Sequence, residues 1–256
     1  MADTQNLSIS KNDWNGAYVP KHTAKLIKAA VENGTAPFIS ENGQLNPTLV
    51  FNVNTGHALE AKDFFPVLLT KIENGYESNA VGTYGTMTKI NNSVKENEKG
   101  VFYNFKGADG EFHHSAYFFG EQLENPEAFA DFANKNFKQQ QNLTKESFKI
   151  TSPAVTEYLS TYLAASKSGA KVEVSPEISK QFAANVIAVC ENELKRTNAE
   201  KNPEIPKLSD LLFNVEKKSS EIVKNREKEL GIAQKPVQQQ EKKHERKQER
   251  SQSMCF

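Results

Sequence analysis

Two aromatic-rich runs with a turn between them constrain this chain most. Residues 101–106 and 111–119 carry Phe102, Tyr103, Phe105, Phe112, Tyr117, Phe118 and Phe119, and Ala108-Asp109-Gly110 separates them. Dense aromatic residues favour strands, and a short Gly-containing break between two such runs is the signature of a β-hairpin. A lone hairpin is marginal in water, so this one needs other elements to cover it. The rest of the chain offers mainly helices. Leu26, Ile27, Ala30 and Val31 recur at helical spacing within 21–33, which Asn33-Gly34 closes. Residues 63–72 suit a helix with Pro66 near its first turn and Gly75 beyond its end. Asn125-Pro126 opens a helix over 125–137, and Ser152-Pro153 opens another to about Ser166, ended by Ser168-Gly169. Ser175-Pro176-Glu177 starts a longer helix whose stripe is Ile178, Phe182, Val186, Val189, Cys190 and Leu194. A last helix spans about Lys207–Leu230, after Pro203 and Pro206 and before Gly231.

The expected fold class is therefore α+β. A flexible arm over 1–20, with Trp14 as its one anchor, precedes a small mixed α/β domain over 21–138 that contains the hairpin. A helical region follows over 148–231. The tail over 232–256 is Gln/Lys/Glu-rich with almost no core formers and is expected to be disordered.

Charge is distributed unevenly. The 32 Lys+Arg and 32 Asp+Glu cancel over the whole chain. Residues 1–150 hold 14 Lys against 17 acids, net −3, so the remainder is net +3. All four Arg (Arg196, Arg226, Arg246 and Arg250) lie in the last quarter. Bidentate reading of guanine usually uses Arg, so sequence-specific duplex readout by the first half is disfavoured. Lys in place of Arg, with abundant Asn, also fits an AT-rich genome. Two cysteines, Cys190 and Cys255, cannot build a disulfide framework or a Cys-rich metal site. No apolar run reaches membrane-spanning length, and the first residues show no signal-peptide pattern, so a reducing, cytoplasmic setting is expected.

Catalytic signatures are not met. His244-Glu245 begins a zinc-protease pattern, but Gln248 stands where the second His belongs. His113 and His114 are adjacent on an expected strand and point to opposite faces. Cys190 lies on an apolar helical stripe. Gly82-x-x-Gly85 has the spacing of neither a P-loop nor a dinucleotide fingerprint. The expectation is a non-enzymatic protein with no cofactor and no metal.

The segment 83–106 carries the binding hypothesis. Lys89, Lys95, Lys99 and Lys106 face Glu96 and Glu98, net +2, with Tyr84, Phe102, Tyr103 and Phe105 interleaved. Lysines neutralise phosphates and release counterions. Aromatic faces stack on unpaired bases. Thr83, Thr86 and Asn104 can hydrogen-bond to phosphates or base edges. Alternating aromatics on a hairpin more commonly face a core, so the two roles compete for the same rings.

Residues 24–106 resemble the N-terminal domain of the ArdC antirestriction proteins, a domain shared with plasmid primases and conjugally transferred polyvalent proteins. The matching words are Leu26-Ile27, Glu32-Asn33-Gly34-Thr35-Ala36-Pro37, Asn52-x-Asn54-Thr55-Gly56, Leu68-Leu69, Gly75-Tyr76-x-Ser78, Thr83-Tyr84 and Val94-Lys95-Glu96-Asn97-Glu98-Lys99-Gly100. The resemblance implies an α/β domain that binds single-stranded DNA without sequence preference and protects, or travels with, plasmid or other mobile-element DNA. Departures from the pattern are Phe38 for a Trp, Leu59 for an aromatic, the Ala61-Lys62-Asp63 step, Gly82 for a Trp and Asn97 for a Gly. The His-Glu-x-x-His motif of the family's C-terminal domain is absent. The expected nucleic-acid contacts are Thr83, Tyr84, Lys89, Lys95, Lys99, Phe102 and Tyr103, with Asn54 from the matched turn. The partner expected is single-stranded DNA. An alternative is a protein-interaction module acting on a host defence or secretion component through its C-terminal region, or a type IV secreted effector whose signal is Glu245–Arg250 with Met254-Cys255-Phe256.

Overall fold

The computed structural model describes residues 18–106, 110, 112–138, 143–196 and 207–232. The expected Trp14 anchor, the turn residues Ala108 and Asp109, Pro203, Pro206 and the tail beyond Ile232 lie outside the described residues. The fold is α+β. In chain order it runs α1 (Tyr18–Glu32), β1 (Gln44–Leu45), β2 (Phe51–Asn52), α2 (Ala61–Asn74), β3 (Ala80–Gly82), α3 (Tyr84–Lys89), β4 (Val101–Lys106), β5 (Phe112–Phe119), α4 (Pro126–Asn136), β6 (Ser147–Ile150), α5 (Val155–Ser168), β7 (Lys171–Val174), α6 (Pro176–Lys195) and α7 (Leu208–Glu229). A compact unit extends to Val223, and the described residues Lys224–Ile232 belong to a second. In that second unit Arg226 pairs with Glu229 at 3.0 Å.

The expected hairpin is β4–β5, in antiparallel register from Val101↔Tyr117 to Lys106↔Phe112. It is half of a four-stranded sheet of order β2-β3-β5-β4, in which β2 and β3 are parallel. A second sheet of order β1-β7-β6 joins Gln44–Leu45 to two strands from the segment expected to be helical. β6 and β7 each have only four residues with alternating burial. The first compact unit thus crosses the expected division between 21–138 and 148–231.

Phe38, fully buried, explains the continuity. Its ring meets Phe65 of α2, Tyr162 of α5 and Phe182 of α6 edge-on at 6.0–6.1 Å. Phe182 in turn stacks on Tyr158 at 3.7 Å. T-shaped aromatic contacts of this kind add to the burial of the rings themselves. α6 packs on α1, and its buried stripe is Ser179, Phe182, Val186, Cys190 and Glu193. Ile178, Val189 and Leu194 lie at its half-buried margin. Glu193 is tolerated there because its carboxylate accepts the Leu208 N–H at 3.1 Å and pairs with Arg196. It thereby ties the start of α7 to the end of α6.

Helix starts show which signals are local. Asn125 Oδ1 accepts the Ala128 N–H at 3.0 Å, and Ser175 Oγ accepts that of Ile178 at 3.2 Å, so α4 and α6 begin where their caps stand. α2 begins two residues before the expected start, which puts Pro66 inside the helix. Its cap comes from far away: Glu216 of α7 accepts the Ala61 N–H at 2.9 Å while holding Lys167 of α5 at 2.5 Å. A carboxylate at a helix N-terminus is favoured by the exposed N–H groups there.

Candidate nucleic-acid interface

A second cluster of buried residues lies under the four-stranded sheet. It comprises Val53, Ala80, Met87, Ala116, Phe118, Leu123, Phe129 and Ala133, with Phe102 and Val94 packed against it. The short helix α3 rests on this cluster. Thr86 Oγ1 accepts the Thr83 N–H at 3.0 Å, closing a capping box at the helix start. Asn54 Nδ2 donates to the same Thr86 oxygen at 2.5 Å, and the Asn54 N–H donates to Asn52 Oδ1 at 2.8 Å. Asn54 and Thr83 therefore anchor the base of α3. Gly82 precedes it in a tight space: a Cβ there would lie 2.9 Å from Met87 Cε and 3.0 Å from Phe129 Cε2, so those side chains would have to shift to admit a larger residue.

Anchored in this way, α3 presents Tyr84 outward. The residue is 59% exposed, yet its ring is braced edge-on against buried Phe118 at 4.6 Å. An exposed ring held by a buried one is a preformed stacking surface. Beside it opens a cavity of about 410 Å³ lined by Tyr84, Met87, Thr88, Asn92, Ser93, Val94, Lys95, Asn97 and Glu98. The far wall is the loop after α3. Asn91 and Asn97 take positive φ (50° and 66°), conformations that Asn tolerates better than most residues.

That loop is pinned to residues 120–125. Asn92 Nδ2 donates to the Asn125 carbonyl at 2.7 Å and Asn92 Oδ1 accepts the Asn125 N–H at 3.0 Å. Gln122, only 2% exposed, is the hub. Its Nε2 donates to Glu98 Oε2 at 2.9 Å and to the Lys99 carbonyl at 3.0 Å, and its Oε1 accepts the Phe119 N–H at 3.0 Å. All the amide's hydrogens and its oxygen are engaged, as a buried amide requires. Lys95 Nζ donates to the Glu121 carbonyl at 2.9 Å, a neutral partner that leaves its charge uncompensated by that contact. Lys89 and Lys99 are exposed, and no ion pair joins either to another of the described residues. The Glu98 carboxylate is half-buried and turned onto Gln122.

The eight expected contacts thus separate into groups. Tyr84 and Lys95 line one cavity, while Lys89, at the end of α3, and Lys99, before β4, are exposed but do not line it. Thr83 and Asn54 support α3 from below. Phe102 faces the cluster under the sheet. Tyr103, one residue on, belongs to the opposite face of β4 and stacks on Tyr117 at 4.1 Å. Phe105 and His113 continue that second row, stacked at 5.6 Å, with Phe105 41% exposed. His114, on the other face, bonds Asn104 Oδ1 through Nδ1 at 2.6 Å. On the Tyr103 face, burial chiefly, with Glu60 adding and Lys62 opposing, raises Asp63 to about 7. Burial and the Asp63 charge raise Tyr117, while a hydrogen bond with Asn52 opposes the rise. The cavity and the Gln122 hub are not evident from composition. The Thr83-x-x-Thr86 spacing, a capping pattern, is the sequence signal that marks α3.

No family model matches the chain, and no curated protein matches it. Two solved structures are similar to it in fold at a distance. The metal-free structure of the antirestriction ArdC protein from the R388 plasmid has 11% identity and a TM-score of 0.43, covering 79% of this chain and 98% of that one. The Mn(II)-bound structure of the same protein has 15% identity and a TM-score of 0.39, covering 80% and 95%. Among the described residues no group of three or more His, Cys, Asp or Glu side chains is placed to hold a metal, and no helix is long and apolar enough to cross a membrane. The positions that depart from the resembled sequence pattern are mostly interior ones. Phe38, Leu59, Ala61, Asp63 and Gly82 are buried. Only Asn97 lines the cavity.

Proposed function

We propose that this chain is a non-enzymatic protein that binds single-stranded DNA without sequence preference. The carrying observation is the exposed Tyr84 ring, held edge-on by Phe118 beside a cavity that Lys95 also lines, with Lys89 and Lys99 exposed in the same 83–106 segment. A base stacks on Tyr84 while the lysines meet neighbouring phosphates. With no Arg before Arg196, the surface has no guanidinium fork for guanine edges, in keeping with sequence-tolerant binding. The net −3 of residues 1–150 makes the interaction local and salt-sensitive. The ordered sequence words shared with ArdC-type domains favour a DNA-protective role on a plasmid or other mobile element, in the bacterial cytoplasm or in company with transferred DNA.

The test is fluorescence anisotropy with labelled single- and double-stranded oligonucleotides over a salt series. The wild type binds the single strand more tightly than the duplex. Lys89→Ala/Lys95→Ala/Lys99→Ala lowers the magnitude of the log K against log[salt] slope by about 2, from roughly 0.7 per phosphate contact on single strands. An unchanged slope, or no binding at low salt, defeats the proposal.

A further inference from the structure

The cavity beside Tyr84 has a chemistry of its own. At about 410 Å³ it falls at the small end of ligand pockets, which run from roughly 300 to 1,000 Å³. One wall is the Tyr84 ring, and Met87 supplies an apolar, polarisable surface. Around them stand the Thr88 hydroxyl, the Asn97 amide, the Glu98 carboxylate and the Lys95 ammonium. One aromatic face, a few hydrogen-bonding groups and one cation at the rim match a single heterocyclic base with its phosphate. A base pair is too wide for such a space, and a stacked base cannot enter it.

The geometry points to a pocket that takes one unpaired nucleobase, extruded from its strand, with its phosphate on Lys95. This rests on the strand-binding reading and deepens it, because stacking on an open surface needs no pocket. The Glu98 oxygen not engaged by Gln122 accepts from the amino group of adenine, cytosine or guanine, whereas thymine has no exocyclic amine. The pocket therefore prefers amino-bearing bases.

Filling the pocket tests this. Thr88 lies on the exposed side of α3, so Thr88→Trp closes the cavity without entering the core. Thr88→Ala and matching thermal melts control for folding. Anisotropy with labelled oligo-dC, oligo-dA and oligo-dT reads strand binding, and NMR titration with deoxyadenosine monophosphate reads the pocket alone. Thr88→Trp is expected to weaken oligo-dA and oligo-dC binding about tenfold, the loss of one stacked base, with the salt slope lowered by no more than about 0.7, the one phosphate held on Lys95. Deoxyadenosine monophosphate is expected to shift the amides of Thr88 and Asn97. If oligonucleotides bind the wild type and Thr88→Trp equally, and the mononucleotide shifts nothing at the cavity, the pocket assignment is overturned while strand binding stands. If the mononucleotide binds there and no oligonucleotide does, the pocket stands and strand binding falls. Binding of neither overturns both.

Discussion

Asp63 offers a prediction whose sign and size follow from its surroundings. It is the third residue of α2, 8% exposed, near Tyr117, Glu60 and Lys62. Burial outweighs Lys62 and lifts its pKa from an ordinary 3.8 to about 7. The unfolded chain gives up this proton near pH 4, whereas the folded chain keeps it until about pH 7. Stability is therefore lost as pH rises across that window, and the full cost is present above it. At about 1.4 kcal/mol per pH unit the ceiling is about 4 kcal/mol. Asp63→Asn keeps the shape and removes the titration. Denaturant unfolding of both proteins at pH 4, 5, 6, 7 and 8 gives the difference in stability at each pH. Burying the amide has a cost of its own, but that cost is the same at every pH. Burial lowers the pKa values of His22 and His57, an opposite pH dependence common to both proteins, so it cancels in the difference. The variant is expected to gain about 2–4 kcal/mol on the wild type between pH 4 and pH 8. A difference that is constant with pH, or that shrinks as pH rises, refutes the reasoning.

Gln122→Leu leaves the Phe119 N–H, the Lys99 carbonyl and the Glu98 carboxylate without their shared partner. It is expected to cost about 2–4 kcal/mol, read as a lower melting temperature with weaker oligonucleotide binding because the cavity wall is released. Glu216→Ala uncaps α2 and strands Lys167, whose side chain is only 14% exposed. A loss of about 2–4 kcal/mol in denaturant unfolding is expected, with oligonucleotide affinity unchanged where the protein is folded.

The hairpin was legible because its two aromatic-rich runs are long and a Gly-containing turn separates them, and α4 and α6 because Asn125 and Ser175 cap them locally. The start of α2 was not, since its capping carboxylate is Glu216, 155 residues away. β6 and β7 escaped because four residues of alternation are too few to distinguish from a helix margin. α3 has six residues and depends on Asn54, brought to it by β2. For the site, the lysines and Tyr84 were readable as a basic-aromatic segment. That Phe102 and Tyr103 face opposite sides of the sheet was implicit in strand alternation, but which side carries α3 depends on Met87, Phe118 and Phe129 meeting in space.

The central claim is that Tyr84 is a stacking surface for an unpaired base. Single-strand affinity of Tyr84→Ala, Tyr84→Phe and Tyr84→Trp at one fixed salt concentration tests it most directly. Tyr84→Ala is expected to lose about 1–3 kcal/mol, roughly 5-fold to 150-fold in Kd, with Phe and Trp retaining most of the affinity. A Tyr84→Ala protein that is folded and binds as tightly as the wild type contradicts the account.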